Sequence, residues 1–588
     1  MRNSPKNNTH LSIRRLVFVL IVLQIGFAVL LGKLYMLQVV DSTAGGDADA
    51  YERLSRRATN VKRGKILDRH GTILGLSRHR LHVSADPRYM RAEPAEVARA
   101  LAPILGASES ELRAQLARKN KRFVSLKKDV DYEALDEIRA LRKKYRGLKY
   151  TISQGRSYPK GSLAAQVIGN VNAENSGEGI EYQYNEYLTR AAQRERRARL
   201  AQGTDANEPV RRLLGNAAAD YGHSIMLTID EYVQYIAENE LAAACQQWNA
   251  PRGTVIVLAS QTAEILALAN YPTYNLNAYG DASEAAKRNL GVWHAYEPGS
   301  VFKIIASSAT LNEGMMTRET PIFCEHGRFR ISRARVIKDV SPKGWLTLEE
   351  VLHKSSNIGM IKIVKELGHQ NFSAYIEKYG FGRKTGIDLP YEHSGSLYAV
   401  RNWDTNSLGS VPFGQGILVT PLQMVSALNV IANGGELLRP YITREIRDSA
   451  GNVVKKVYPI SVRRVLDAEV ARQMTEILVG VVEDGSGRRA QVEGYRVAGK
   501  TGTAQKAEKD VGYASGKETM SFMGFLPAEN PKVSIIVMLD EPTGARFSGQ
   551  IAGPLFKAVA TQTMQYFKQT EFFGTPPAHE ASAPAITE

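Results

Sequence analysis

"AYEPGSVFKII", residues 295–305, carries a Pro-Gly pair up to Ser300 and sets Lys303 three positions later. One account of this stretch is an ordinary helix start, since serine is a favoured N-cap and lysine on a helix is commonplace. The other is a nucleophile with its base. Beyond it, "SVFKIIASSATLNEG" (300–314) is apolar around most of its circumference and stops at Gly314, which predicts a buried helix. The N-terminus of such a helix offers free N–H groups and the positive end of its dipole. Residues at i and i+3 share a face, so the Lys303 amine would lie beside the Ser300 hydroxyl. A serine near neutral pH needs an adjacent base. Lysine serves if burial and neighbouring cations lower its pKa until it is neutral. A second S-x-x-K, Ser125 to Lys128, lies in a lysine-rich stretch with no preceding Pro-Gly, so the spacing alone does not decide.

Two further segments do. "HKSSNIGM" (353–360) supplies Ser355-Ser356-Asn357, and "VAGKTGTAQ" (497–505) supplies Lys500-Thr501-Gly502-Thr503 on a strand-like run. Singly, the first would be a helix cap and the second a strand-end turn. Together, in the order S-x-x-K, S-x-N, K-T-G, they match the active-site set of penicillin-binding proteins and serine β-lactamases. Each residue type then has a task. Ser300 attacks a peptide carbonyl and Lys303 takes its proton. Ser355 relays a proton among Lys303, Lys500 and the leaving amine. The Asn357 amide both donates to and accepts from a substrate backbone. Lys500 faces the substrate's terminal carboxylate, with Thr501 and Thr503 as hydroxyl partners. Gly502 lets the substrate backbone approach the strand. The N–H groups of Ser300 and Thr503 would form the oxyanion hole, where one donor is worth about 2.7–4 kcal/mol.

Outward from these motifs, the chain has 588 residues, 43% hydrophobic, enough for more than one packed core. From 222 onward the pattern is α+β. Asp230 caps a helix starting "EYVQYIAENELAAACQQW"; "GTVIVLAS" and "AEILALAN" make a strand pair around a turn at Ser260–Thr262. A helix-rich region spans 283–432, followed by the strand-like runs "YRVAGKTGTA", "SFMGFLP" and "VSIIVMLDEP" and a closing helix "GPLFKAVATQTMQYFKQ". Residues 41–221 mix short strands ("GKILDRHGTILGLS", "LKYTIS") with helices ("EPAEVARALAPIL", "DYEALDEIRALRKKY") and include a basic, weakly patterned segment at 189–216. Residues 574–588 are Pro/Ala/Ser-rich and read as a disordered tail.

Residues 16–40 are predominantly apolar and follow Arg2, Lys6, Arg14 and Arg15, with no acidic residue before them. That predicts one uncleaved membrane-spanning helix with residues 1–15 in the cytoplasm and the rest outside. The A-x-A at 48–50 lies too far beyond a stretch too long for a signal peptide's core. The net charge of +16 is spread widely, and no zinc-finger spacing or RNA-binding signature accompanies it, which points to an anionic wall or membrane surface rather than nucleic acid. Cys245 and Cys324, far apart and in no CxxC, read as buried apolar residues; no metal-site spacing occurs.

The chain resembles a class B penicillin-binding protein. Besides the trio, "RGKILDRHGTIL" (63–74), "RSYPKGSLAAQVIGNV" (156–171) and "GEGIEYQYNEYL" (177–188) look like the family's pedestal motifs, "TIDEYVQ" (228–234) like the opening of its transpeptidase domain, and "FGQGILVTPLQM" (413–424) like a segment between the second and third motifs. The resemblance implies a pedestal (dimerisation-like) domain at 41–221 and a transpeptidase domain at 222–573, an antiparallel sheet flanked by helices with a helical subdomain. It implies that Arg63, Asp68, Arg156 and Glu181 knit the pedestal. It also implies a penicillin-sensitive D,D-transpeptidase without cofactor, single-pass in the inner membrane with its catalytic domain periplasmic. Stem peptides ending in D-Ala-D-Ala would be the substrate, β-lactams inhibitors, and a membrane-embedded glycan polymerase and other division proteins partners. "EPGS" and "KSSN" favour a division-type over an elongation-type member. A D,D-carboxypeptidase shares the acylation chemistry; a β-lactam sensor or silent scaffold fits less well, since all the motif residues are present.

Overall fold

The computed structural model describes residues 62–190 apart from 172–176, and 222–570 apart from 334, 398–400, 402, 404–406, 408, 507–515 and 546, together with 17, 18, 20, 21 and 24–31. The basic segment from 191 on and the tail at 574–588 lie outside the described residues, as does residue range 1–15. So does most of the expected anchor. Among the described residues no helix is long and apolar enough to cross a membrane; residues 24–31 are helical and exposed.

The region from 222 on is built on five antiparallel strands in the order Ala498–Gln505, Glu518–Leu526, Val533–Asp540, Arg252–Ala259, Ile265–Tyr271. Strands covered on both faces read as continuous apolar runs rather than alternating ones, and this sheet is covered on both. Val255, Val257 and Val537 pack with Val233 and Leu241 of helix Glu231–Gln247 and with Ile551 and Phe556 of helix Ser548–Thr570. Their neighbours Ile256, Leu258 and Ile536 face the other way, toward Leu422, Val425 and Leu428 of helix Pro421–Ala432 and toward Phe302. Each such side chain withdrawn from water contributes roughly 1.5–3 kcal/mol. The Asp230 side chain does cap helix Glu231–Gln247, accepting from Tyr232 N and Val233 N.

In the pedestal, strand Ile73–Ala85 pairs with both Val124–Asp131 and Leu148–Ser157. Leu81, Val83 and Ala85 pack with Val97 and Leu101, Leu112 and Leu116, and Leu135 and Ile138 from helices Pro94–Leu105, Glu109–Leu116 and Leu135–Lys144. The sheet does not stop at the pedestal: Ile66–Leu67 runs parallel to Ser224–Leu227, which pairs antiparallel with Thr443–Arg447. Both halves of the chain therefore share one seven-stranded sheet.

Charged groups knit the pedestal internally and tie it to the region that follows. Glu181 is 1% exposed and accepts from Arg63, Arg156 and the Tyr158 hydroxyl. Burial pushes its pKa up, but the two guanidinium groups beside it hold it below the usual value. Asp68 Oδ1 accepts from His70 N and Thr72 N, while its Oδ2 takes Glu231 N across the junction. Asp230 Oδ2 meets His70 Nε2 at 2.9 Å and the Tyr566 hydroxyl at 3.1 Å, so one carboxylate joins the pedestal, the cap and the last helix. Cys245 and Cys324 are free, buried, and belong to different cores.

Candidate active site

The approach to Ser300 is tighter than a plain α-helix start. Gly299–Phe302 form a 3₁₀ turn, and the α-helix runs Lys303–Asn312, with Gly314 at φ +64° just beyond its end. In a 3₁₀ turn residues i and i+3 eclipse, which aligns Ser300 with Lys303 more closely than an α-turn would. The turn is braced by close backbone contact. Gly299 has φ +60°, and a Cβ there would lie 2.5 Å from Thr503 O; one at Gly414 would lie 2.2 Å from Gly299 O. Gly299 N donates to Gly414 O at 2.9 Å, Gly416 N to Glu297 Oε1 at 2.8 Å, and Tyr296 and Val419 exchange a backbone pair. The segment 413–424 is thus the buttress of the serine turn. Glu297 and Gly414 lie in segments the sequence marks, "EPGS" and "FGQG", but their bracing of the serine turn is a long-range contact that no local pattern announces.

Lys303 is fully buried and its Nζ contacts Ser355 O at 2.7 Å, Asn357 Oδ1 at 2.8 Å and Ser355 Oγ at 3.2 Å. The Ser300 hydroxyl is not among these three groups. Burial first, and then Lys500, drive the Lys303 pKa well below the ordinary lysine value, with Asp339 opposing. A neutral amine has two N–H donors and one lone pair. The two shortest contacts are to oxygens that only accept, so the lone pair is left for a hydroxyl. The S-x-N segment is shaped for this grip. Ser355 has φ +53°, a conformation that costs on the order of 1–3 kcal/mol outside glycine. Ser356 points away, caps helix Asn357–Leu367 and accepts from Gly359 N. Asn357 Oδ1 is taken by Lys303 and its Nδ2 reaches Lys338 O at 3.4 Å, so the amide is engaged within the protein on its oxygen side, and only Nδ2 keeps a hydrogen to offer a substrate.

Strand Ala498–Gln505 lies at the sheet edge. It brings Lys500 Nζ, also fully buried, to 3.1 Å from Ser355 Oγ. Burial pushes this lysine down to about 7. One hydroxyl therefore sits between two buried amines. The Thr501 hydroxyl meets Ser486 Oγ at 2.9 Å and Lys500 Nζ at 3.4 Å; Thr503 is partly exposed beside Gly299. A Cβ at Gly502 would lie 2.5 Å from Ser521 Oγ, 2.8 Å from Val301 Cγ1 and 3.2 Å from Pro298 O. Glycine at 502 thus leaves room for Ser521 on the neighbouring strand and for the serine turn.

The two competing matches fall elsewhere. Ser125 lies on a pedestal strand and bonds His82 Nε2. In Lys384-Thr385-Gly386 the lysine is exposed, and the backbone and hydroxyl of the other two are held by Glu392.

A nucleophile turn, an S-x-N helix start and a K-T-G edge strand meeting at one end of an antiparallel sheet define the active-serine proteins that react with penicillin. Residues 253–561 match the penicillin binding protein transpeptidase domain family, and residues 58–201 the penicillin-binding protein dimerisation domain. The chain belongs to the penicillin-binding protein transpeptidase family and is of class B. It is 33% identical to the stage V sporulation protein D of Bacillus subtilis, over 92% of this chain and 84% of that protein. It is 32% identical to the probable peptidoglycan D,D-transpeptidase PbpC of Pseudomonas aeruginosa, over 95% of each. A solved peptidoglycan synthetase from Bifidobacterium adolescentis superposes with a TM-score of 0.64 at 27% identity, covering 90% of this chain and 98% of that one.

Proposed function

We infer that the protein is a peptidoglycan D,D-transpeptidase working through an ester at Ser300. The observation that carries this is the Ser355 hydroxyl lying 3.2 Å from one buried lysine and 3.1 Å from another, next to the serine turn. In the first half-reaction Ser300 Oγ attacks the carbonyl carbon of the penultimate D-Ala of a donor stem, and neutral Lys303 accepts its proton. The N–H groups of Ser300 and Thr503 receive the oxyanion. Collapse breaks the peptide C–N bond. The leaving D-Ala nitrogen takes the proton from Lys303 by way of Ser355, leaving the Ser300 ester and a neutral Lys303. In the second half a stem amine attacks the ester, its proton passes to Lys303 and on to Ser300 Oγ, and a new amide forms. Lys500, charged and flanked by Thr501, meets the donor's terminal carboxylate; Asn357 Nδ2 holds a stem carbonyl. A β-lactam enters by the same attack, with opening of its ring.

Incubation with labelled penicillin is expected to give one adduct by intact-protein mass spectrometry, on a peptide containing Ser300. Its persistence in Ser300→Ala would refute the assignment. With a pentapeptide donor and an amine acceptor, D-Ala release with a cross-linked product is expected; release with the hydrolysed stem alone would make the protein a carboxypeptidase.

The site is set outside the cell by an anchor at 16–40, oriented by the four basic residues before it. The exposed apolar side chains of Phe18, Ile25, Phe27 and Leu30 fit a lipid surround. Protease outside spheroplasts is expected to remove everything after residue 41; full protection, or a mature N-terminus between 46 and 51, would overturn this topology. The serine and S-x-N contexts favour work in septal synthesis beside a membrane-embedded glycan polymerase. Filaments on depletion would agree with that role, and round cells would assign the protein to elongation.

A further inference from the structure

The segment "RVIKDV" (335–340) carries none of the family's active-site motifs, yet its aspartate is seated against one of them. The Asp339 side chain is 1% exposed. Oδ1 accepts from Asn357 N at 2.6 Å and from Ile358 N at 3.2 Å; Oδ2 accepts from Ser356 Oγ at 2.5 Å. An anion on the free N–H groups of a helix N-terminus is favoured by hydrogen bonding and by the helix dipole. The carboxylate is itself fixed: strand Val336–Lys338 pairs with Arg328–Arg330, and Asp339 N donates to Gly327 O. Lys338 O adds the contact to Asn357 Nδ2. Residues 338 and 339 thus hold Asn357 by both main chain and side chain, and hold Ser356 by its hydroxyl. The groups so held lie on either side of the two oxygens that grip Lys303, namely Ser355 O and Asn357 Oδ1.

We propose that Asp339 is a positioning residue for acylation, fixing the S-x-N turn so that Ser355 and Asn357 orient the Lys303 amine toward Ser300. This rests on the Ser300 ester reading. Asp339 does not reach the substrate; it acts through the turn, and it stabilises the strained φ of Ser355 by anchoring the residues that follow. Its charge also acts on Lys303. The charged and titratable groups around it are Lys343, whose Nζ is 3.9 Å from Oδ2, the two site lysines Lys303 and Lys500, and Cys324 with Lys362 behind the turn. Against burial and Lys500, which push the Lys303 pKa down, Asp339 pushes it up.

The test compares the full-length wild type with Asp339→Ala and Asp339→Asn, measuring second-order acylation by a fluorescent penicillin from pH 5 to 9 alongside near-ultraviolet circular dichroism and melting. Asp339→Ala is expected to lose about 100-fold in rate, the scale on which small misplacements of a catalytic group act, with the native fold retained. Asp339→Asn keeps an acceptor for Asn357 N–H and is expected to lose less. Because removing the charge lets the Lys303 pKa fall further, its acid limb should move to lower pH. A merely structural role would not move that limb. Asp339→Ala within twofold of wild type would overturn the proposal. So would an unshifted acid limb in Asp339→Asn, which also decides the matter if Asp339→Ala does not fold. Absence of a wild-type Ser300 adduct would overturn the transpeptidase reading and this inference with it.

Discussion

Lys303→Arg is expected to cut acylation of Ser300 by at least about 100-fold, the lower range for losing a general base. The position does not simply want a cation. Lys303 Nζ is enclosed by Ser355 O, Ser355 Oγ and Asn357 Oδ1, with no exposed surface. Burial, Lys500 and Lys343 lower its pKa, and only Asp339 raises it. A guanidinium does not release its proton in a protein, so arginine keeps the charge and removes the lone pair. The sign of the pH profile follows. Lys303 is neutral above its lowered pKa, so wild-type acylation should rise with pH through that value. Lys500, pushed down to about 7, must be charged to meet a carboxylate, so acylation by the free enzyme should fall again as pH climbs past about 7. Stopped-flow acylation rates across pH check both limbs. A Lys303→Arg rate near that of wild type would remove Lys303 as the base.

What the sequence disclosed about this site was its residue types, and what it withheld was contact between distant segments. Strand identity was plain for Arg252–Ala259 and Val533–Asp540 because burial on both faces writes an unbroken apolar run. The cap at Asp230 was plain because capping is local. The 3₁₀ start at Gly299 was not: it answers to backbone at 414 and 503, more than a hundred residues away. The space at Gly502 has the same kind of origin, since Ser521 of the paired strand and the turn at 298–301 press on it from elsewhere in the chain. Asn357 was expected to face substrate with its whole amide, but a buried amine needing acceptors takes its oxygen. The sheet strand Ser224–Leu227 crosses from one half of the molecule to the other, which no local pattern announces. Asp339 lies in a short strand-and-loop stretch whose composition is unremarkable; only its carboxylate's three partners mark it.

The chain contains K-T-G twice, and the two lysines are expected to behave oppositely. Lys384 is exposed on a loop that turns at Gly386 with φ +82°, and its neighbours Thr385 and Gly386 are committed to Glu392. Lys384→Ala should therefore change acylation by no more than the roughly 0.5 kcal/mol typical of surface changes, about a factor of two. Lys500 is different in every respect: it lies on the edge strand, is fully buried, and stands 3.1 Å from Ser355 Oγ. Lys500→Ala removes the buried amine proposed to meet a ligand carboxylate and leaves the Ser355 hydroxyl with Lys303 as its remaining lysine partner. A loss of about 100-fold or more is expected, the range for deleting one preorganised electrostatic contact in a site closed to water. A second signature separates this from simple weakening of binding. Lys500 is among the groups that hold the Lys303 pKa down, so without it Lys303 keeps its proton to higher pH, and the acid limb of the residual activity should move upward. That is opposite to the shift expected for Asp339→Asn. Acylation rates measured on Lys500→Ala and Lys384→Ala over the same pH range decide the assignment: the reverse ranking, or a Lys500→Ala profile whose acid limb stays in place, would show that the second K-T-G does not face the serine.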